Sequence, residues 1–214
     1  MTLEKIPPLK GGGGCEGEKE KGGWRMDYRQ DIDTALKVLR DGGVILYPTD
    51  TIWGLGCDAT NENAVSKIFE IKKRADSKSL LVLVNGITML ERYVKAIPPA
   101  ASELIYVTDK PLTIIYPQGK NLAKGVCSED GSVGIRITSD SFCTELINRS
   151  RKPIVSTSAN YSEAPSPRTF AEIDSGIIGS VSYVVSYRQD DATKNKPSPV
   201  IKVNSDGSIK IIRM

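Results

Sequence analysis

The run Leu80-Leu81-Val82-Leu83-Val84 is the segment that most narrows what this chain can fold into. Consecutive apolar residues with no polar side chain among them describe a strand covered on both faces, so something must pack above and below it. Shorter β-rich runs stand at 44–47, 112–116, 133–137 and 154–156, and helical spacing fills the gaps between them. Ile32, Ala35, Leu36 and Leu39 mark an amphipathic helix that Gly42-Gly43 stops; Ala64, Ile68, Phe69 and Ile71 mark a second. Residues 87–106 read as helical with a break at Pro98-Pro99, and 141–149 as a further helix. Strands at 181–186, 199–203 and 209–212 close the chain, the last two joined by the turn Ser205-Asp206-Gly207. Helices alternating with strands, then closing strands, predict an α/β fold on one mixed sheet with flanking helices.

Residues 1–25 differ from the rest. A glycine run at 11–14, alternating charges at 16–21 and Gly22-Gly23 offer nothing to bury and read as a flexible tail. Folding is expected to begin near Met26, giving a tail at 1–25 and one domain at 26–214, a length that suits one hydrophobic core. No apolar stretch approaches the ~20 residues of a membrane helix, and charges and prolines break up the N-terminus where a secretory signal would sit, so a cytoplasmic address is expected.

Residue types also exclude chemistries. The chain has no histidine, which removes Ser-His-Asp and Cys-His nucleophiles and His-based metal sites together. The 4 cysteines, at 15, 57, 127 and 143, form no C-x-x-C pair, so neither a structural zinc site nor a disulfide framework is expected. A net charge of +3 does not by itself imply nucleic-acid binding. Catalysis in such a chain must lean on Lys, Arg, hydroxyls, carboxylates and a metal carried by the ligand.

Three segments carry that chemistry. Lys72-Lys73-Arg74 closes the second helix, where cations also complement the negative end of the helix dipole, and Lys78 follows in a Ser-flanked loop. Pro48-Thr49-Asp50-Thr51 follows the first strand and leads into Trp53-Gly54-Leu55-Gly56, which reads as a loop with an aromatic wall and room for close backbone approach. Ser156-Thr157-Ser158-Ala159-Asn160 places hydroxyls and an amide at a strand's carboxyl end, where open α/β sheets bind ligands. Each segment alone has a bland reading as a cap, a turn or a solvated helix end. Together they describe a pocket for a phosphate-bearing ligand and a small polar one.

These residues resemble the YrdC family of threonylcarbamoyl-AMP synthases in its short, single-domain form. The family's K-x-R and S-x-N pair matches Lys72-x-Arg74 and Ser158-x-Asn160, its P-T-D-T matches residues 48–51, and its G-V-R strand is similar to Gly134-Ile135-Arg136. Lys152-Pro153-Ile154 before the Ser-rich turn also fits, and the likeness runs from about Gly42 to Arg213. The resemblance implies a twisted mixed sheet with flanking helices and a concave, positively charged ligand cleft. It implies synthesis of threonylcarbamoyl-AMP and pyrophosphate from L-threonine, bicarbonate (or carbon dioxide) and ATP. A downstream threonylcarbamoyl-transferase complex would then use the product to modify tRNA, and some members also bind RNA.

Carried over by position, Lys72, Arg74 and Lys78 would face the ATP phosphates, Ser132 and Asn160 would help hold the nucleotide, and Arg168 and Arg213 would assist. Thr51, Arg136, Ser158 and Ser198 would surround the threonine, with Arg136 suited to its carboxylate. Mg²⁺ would arrive with ATP, with no metal ligand from the protein. Departures from the family pattern are Trp53 in place of a common Tyr, Leu83 in place of a His found in relatives, and Pro199 in Ser198-Pro199-Val200, expected in an edge strand. The alternatives are an RNA-binding paralogue without synthase activity, against which the K-x-R and S-x-N pair counts, and the carbamoyl-transfer module of hydrogenase maturation, which carries cysteine-rich zinc fingers. The long two-domain synthase is set aside on length.

Overall fold

The computed structural model describes residues 28–73 and 79–214. The expected tail and start near Met26 lie outside those residues, as do Arg74 and Lys78.

The helices form where spacing and caps direct them. Helix α1 (Arg29–Arg40) buries Ile32, Ala35, Leu36 and Leu39. It ends in a Schellman closure: the Gly43 N–H reaches Val38 O at 2.8 Å and the Gly42 N–H reaches Leu39 O at 3.1 Å, with Gly42 at φ +70. Helix α2 (Glu62–Lys72) starts on Asn61, whose side-chain oxygen accepts from the Ala64 N–H at 3.1 Å, and closes on left-handed Lys73 at φ 50. The 87–106 segment divides as expected into α3 (Ile87–Tyr93) and α4 (Pro99–Val107), with Pro99 at the first helical position, where its missing N–H costs nothing. Helix α5 (Ser141–Ser150) is capped by the Asp140 carboxylate, which accepts from the Cys143 N–H at 2.9 Å. A short helix α6 (Ser175–Ser180) follows. None of the described helices is long and apolar enough to cross a membrane.

The strands are β1 (Ile45–Tyr47), β2 (Gly54–Gly56), β3 (Leu81–Val84), β4 (Thr113–Tyr116), β5 (Val133–Ile137), β6 (Ile154–Val155), β7 (Thr157–Ser158), β8 (Tyr183–Val184), β9 (Val200–Val203) and β10 (Ile209–Arg213). They form two mixed sheets rather than the single one expected: a six-stranded sheet in the order β10-β9-β4-β5-β3-β6 and a four-stranded sheet in the order β7-β2-β1-β8. Strand β3, the continuous apolar run, lies between β5 (parallel) and β6 (antiparallel), with Val82, Leu83 and Val84 fully buried.

The division into two sheets arises at 154–158. Strand β6 pairs with β3 and β7 pairs with β2, so the chain leaves one sheet and enters the other around Ser156. There the Ser156 N–H bonds Leu81 O at 2.8 Å while the Val155 N–H bonds Cys57 O at 2.9 Å. Strand β2 itself was expected as loop. Its glycines are required by crowding: a β-carbon on Gly56 would stand 2.5 Å from Tyr47 Cε1 and 3.0 Å from Val155 O.

Pro199 also departs from expectation. Strand β9 lies inside the sheet between β10 and β4, and Pro199 stands just before it, where its carbonyl accepts from the Thr113 N–H at 3.0 Å and no donor is needed.

Candidate functional site

A cavity of about 270 Å³ opens between the two sheets. Its floor is one face of the six-stranded sheet, where period-two alternation turns Thr113 and Ile115 of β4, and Gly134 and Arg136 of β5, to the same side. Gly134 makes room there, opposite Ile115 in the ladder. One wall is Thr51, Ile52, Trp53 and Gly54; the other is Ser156, Thr157 and Ser158. Pro197, Ser198 and Arg213 close the far side. Among the described residues the lining holds two guanidinium groups and no carboxylate.

Arg136 is 3% exposed, and burying a guanidinium demands compensation. Its Nη2 lies 2.9 Å from Asp50 Oδ1, an ion pair without a hydrogen bond. Its Nη1 donates to Ser198 Oγ at 3.2 Å, while Nε meets no acceptor among the described residues. Ser198 Oγ also shares a hydrogen bond of 2.8 Å with Thr113 Oγ1. On the other side Asp50 Oδ2 accepts from Thr138 Oγ1 at 3.3 Å. Burial raises the Asp50 pKa, with the Arg136 charge opposing the shift. Thr51 is fixed through Thr49, whose hydroxyl accepts from the Thr51 N–H at 3.1 Å and donates to Ile52 O at 2.8 Å. Trp53 leans on Phe170 with ring centroids 4.8 Å apart, so the aromatic wall is a pair of rings.

Arg213 reaches the cavity through an irregularity. The β10–β9 register shifts between Ile211 and Arg213, and the displaced Arg213 donates from Nη2 and Nε to Ser198 O at 2.7 and 3.2 Å. Burial and then the charge of Arg136 pull its pKa down.

The second helix meets the Ser/Asn turn directly. Lys72 is 3% exposed and its ammonium donates to Ser158 O and Asn160 O, both at 2.6 Å. The Ser162 N–H returns to Lys72 O at 3.0 Å, and the Lys73 ammonium stands 4.7 Å over the Tyr161 ring. A cation expected to face phosphates is therefore bound, in this structure, to the carbonyls that shape the turn. Each charge-assisted bond of this kind contributes about 1.5–3 kcal/mol. The Asn160 amide is oriented by two carbonyls that can only accept, Tyr161 O at 3.0 Å and Ala164 O at 2.5 Å from Nδ2; its Oδ1 is buried without a partner among the described residues.

The structure thus gathers Thr51, Arg136, Ser158, Ser198 and Arg213 around one cavity, with Lys72 and Asn160 directly behind its wall. It does not bring Ser132 or Arg168 to that lining. Ser132 stands just before β5 and donates to Asp130 Oδ1 at 2.6 Å. Arg168 lies across the 48–53 segment, in a small adjoining cavity with Thr49 and Arg188, 3.8 Å from Glu172. Leu83 is fully buried in β3. Sequence reasoning missed Asp50 as the partner of Arg136, Thr113 beneath Ser198, and Phe170 under Trp53. Only Asp50 had a local signal, being an acid inside a matched motif.

The sequence model of the Sua5/YciO/YrdC domain, described as "Telomere recombination", matches residues 37–214. The chain belongs to the Sua5/YciO/YrdC family. Among its Sua5/YciO/YrdC relatives, threonylcarbamoyl-AMP synthase of Xanthomonas campestris pv. campestris is 31% identical over 163 residues, covering 75% of this chain and 87% of that protein. The H234A/Y235A variant of P. abyssi Sua5 superposes with a TM-score of 0.78 at 27% identity, covering 88% of this chain and 57% of Sua5. P. abyssi Sua5 complexed with L-threonine gives a TM-score of 0.73 at 28% identity, with 84% of this chain and 52% of that chain covered. The chain thus spans little more than half of the Sua5 chains and most of the bacterial synthase.

Proposed function

We propose that this chain is a threonylcarbamoyl-AMP synthase, forming the adenylate and pyrophosphate from L-threonine, bicarbonate or carbon dioxide, and ATP. One observation carries the reading: a buried arginine ringed by hydroxyls shares a cavity with the Ser158–Asn160 turn that Lys72 clamps. The names of its relatives support it, and so does the threonine bound to P. abyssi Sua5.

In this reading the Arg136 guanidinium binds the threonine carboxylate, and Thr51, Ser158 and Ser198 supply hydroxyls to the rest of the amino acid. The α-ammonium, protonated at neutral pH, loses a proton and the amine bonds to the one-carbon unit, giving a carbamate; from bicarbonate, water leaves. A carbamate oxygen forms a bond to the α-phosphorus as the bond to pyrophosphate breaks, so charge grows on the leaving group. Fixed cations stabilise that charge, a role for Arg74, Lys78 and the Mg²⁺ that ATP carries. Asn160, Ser132, Arg168 and Arg213 assist the nucleotide. No protein base is demanded, in keeping with a chain that has no histidine. The product then passes, on this proposal, to a separate transferase acting on tRNA, and the setting is cytoplasmic.

The test incubates the full chain with ATP, Mg²⁺, L-threonine and bicarbonate and reads the adenylate by mass and pyrophosphate by release. Arg74→Ala is expected to lower threonine-dependent release about a hundredfold or more with unchanged thermal unfolding. No adenylate from the parent chain would overturn the reading, and full activity in that variant would overturn the role given to Arg74.

A further inference from the structure

The mechanism above leaves one buried charge of the site unused. Asp50 belongs to the 48–51 motif, has only 8% of its side chain exposed, and stands outside the cavity lining. Its carboxylate bridges Arg136 Nη2 at 2.9 Å and Thr138 Oγ1 at 3.3 Å. We infer that Asp50 is the positioning residue for amino-acid recognition, holding the Arg136 guanidinium by charge where it serves a substrate carboxylate. The inference rests on the assignment of Arg136 to the threonine carboxylate.

Geometry and chemistry support it together. A guanidinium on a four-bond stem has many rotamers, and bidentate recognition of a carboxylate tolerates few of them. Ser198 Oγ engages Nη1 and Asp50 engages Nη2, so both outer nitrogens are held from opposite elements: the β1–β2 connection and the segment before β9. Asp50 is in turn held by Thr138, the residue following β5, which also accepts from the Asp140 N–H at 3.2 Å. The anion and its anchor thus come from the strand that carries Arg136 and the loop that crosses it. Since Asp50 does not line the cavity, it acts on the substrate only through Arg136.

The charged and titratable groups facing Asp50 are Arg136, Asp140, Tyr47 and Cys143. Asp140 is paired with Arg188 at 2.6 Å, and burial keeps Tyr47 and Cys143 protonated. Burial raises the Asp50 pKa, so acidification neutralises Asp50 before an ordinary carboxylate and frees Arg136.

The experiment compares the full chain with Asp50→Asn, an isosteric change that removes the charge. In the variant KM for L-threonine is expected to rise about tenfold or more, with KM for ATP within about twofold. As pH falls from neutral, the ratio of the variant's threonine KM to the parent's is expected to fall toward one, because the parent then loses the Asp50 charge that the variant lacks throughout; taking the ratio cancels the titration of threonine itself. A purely structural role would move both KM values together or neither. If Asp50→Asn does not fold, Thr138→Val decides, with an expected rise in threonine KM of about threefold at constant ATP KM. Equal threonine affinity in parent and variant, measured by calorimetric titration, would overturn this inference alone. A parent chain that binds no threonine would overturn the assignment of Arg136 on which it rests.

Discussion

Arg136 and Lys72 are both 3% exposed, yet the protein treats these two cations differently. Arg136 projects from a ladder strand and is met by side chains on two other segments, Asp50 and Ser198. Lys72 projects from the last turn of a helix and is met by the backbone carbonyls of a turn, Ser158 and Asn160. At the first end the geometry is fixed by strand register, so the distances between donors change little. At the second it is fixed by a helix end leaning on a loop, which shapes the backbone instead of presenting a charge. A small zwitterion needs the first kind of site, because it offers few atoms and each must meet its partner.

Two substitutions probe that contrast. Arg136→Ala leaves Asp50 buried without its counter-ion, and removing one member of a buried pair costs on the order of 3–5 kcal/mol. Both a lower denaturation midpoint and a loss of threonine-dependent turnover are expected; retention of stability would show that the pair does not compensate a buried charge. Lys72→Met keeps the stem and removes the ammonium, taking that donor from Asn160 O and leaving Ser158 O with the Asn160 N–H at 2.9 Å, a loss of about 1–3 kcal/mol. Activity should fall mainly in kcat, with threonine KM little changed, since the Arg136 end is untouched; a selective rise in threonine KM would join the two ends into one unit.

The smallest effect concerns Asp130, whose pKa is lowered to about 2, first by the Ser132 hydroxyl, then by its N–H and by Lys202. A depressed acid contributes stability above its unfolded value of 3.8 and loses it as pH falls toward 2. Asp130 is largely exposed, so the contribution is discounted to less than about 1 kcal/mol. Urea midpoints of parent and Asp130→Asn are expected to differ slightly at pH 7 and to converge near pH 2.

The ladder strands and helices were legible because their signals are local: an unbroken apolar run for β3, i, i+3, i+4 spacing for α1, Pro98-Pro99 for the break. Strand β2 was not, because Gly-Leu-Gly has no strand propensity; it pairs because Tyr47 and Val155 leave room for nothing larger than glycine. The motif residues of the site were legible as a family pattern, and Thr51, Arg136, Ser158 and Ser198 do meet around one cavity. Their couplings were not. Thr113 and Ser198 are far apart in sequence and meet only because β4 and β9 are parallel neighbours. Lys72 read as a phosphate ligand from its residue type, and only its distances show that its ammonium is bound to carbonyls.

The crossing at Ser156 has a mechanical consequence. Val155 and Ser156 donate to neighbours on both sides of the seam, Cys57 beyond β2 and Leu81 in β3. Prying the walls apart there would rupture two ladders at once, a cooperative and therefore rare event. Among the described residues, the stretches 159–169 and 186–199 belong to no ladder and lend Ser166, Pro197 and Ser198 to the lining, so these rims of the pocket can give while its back stays shut.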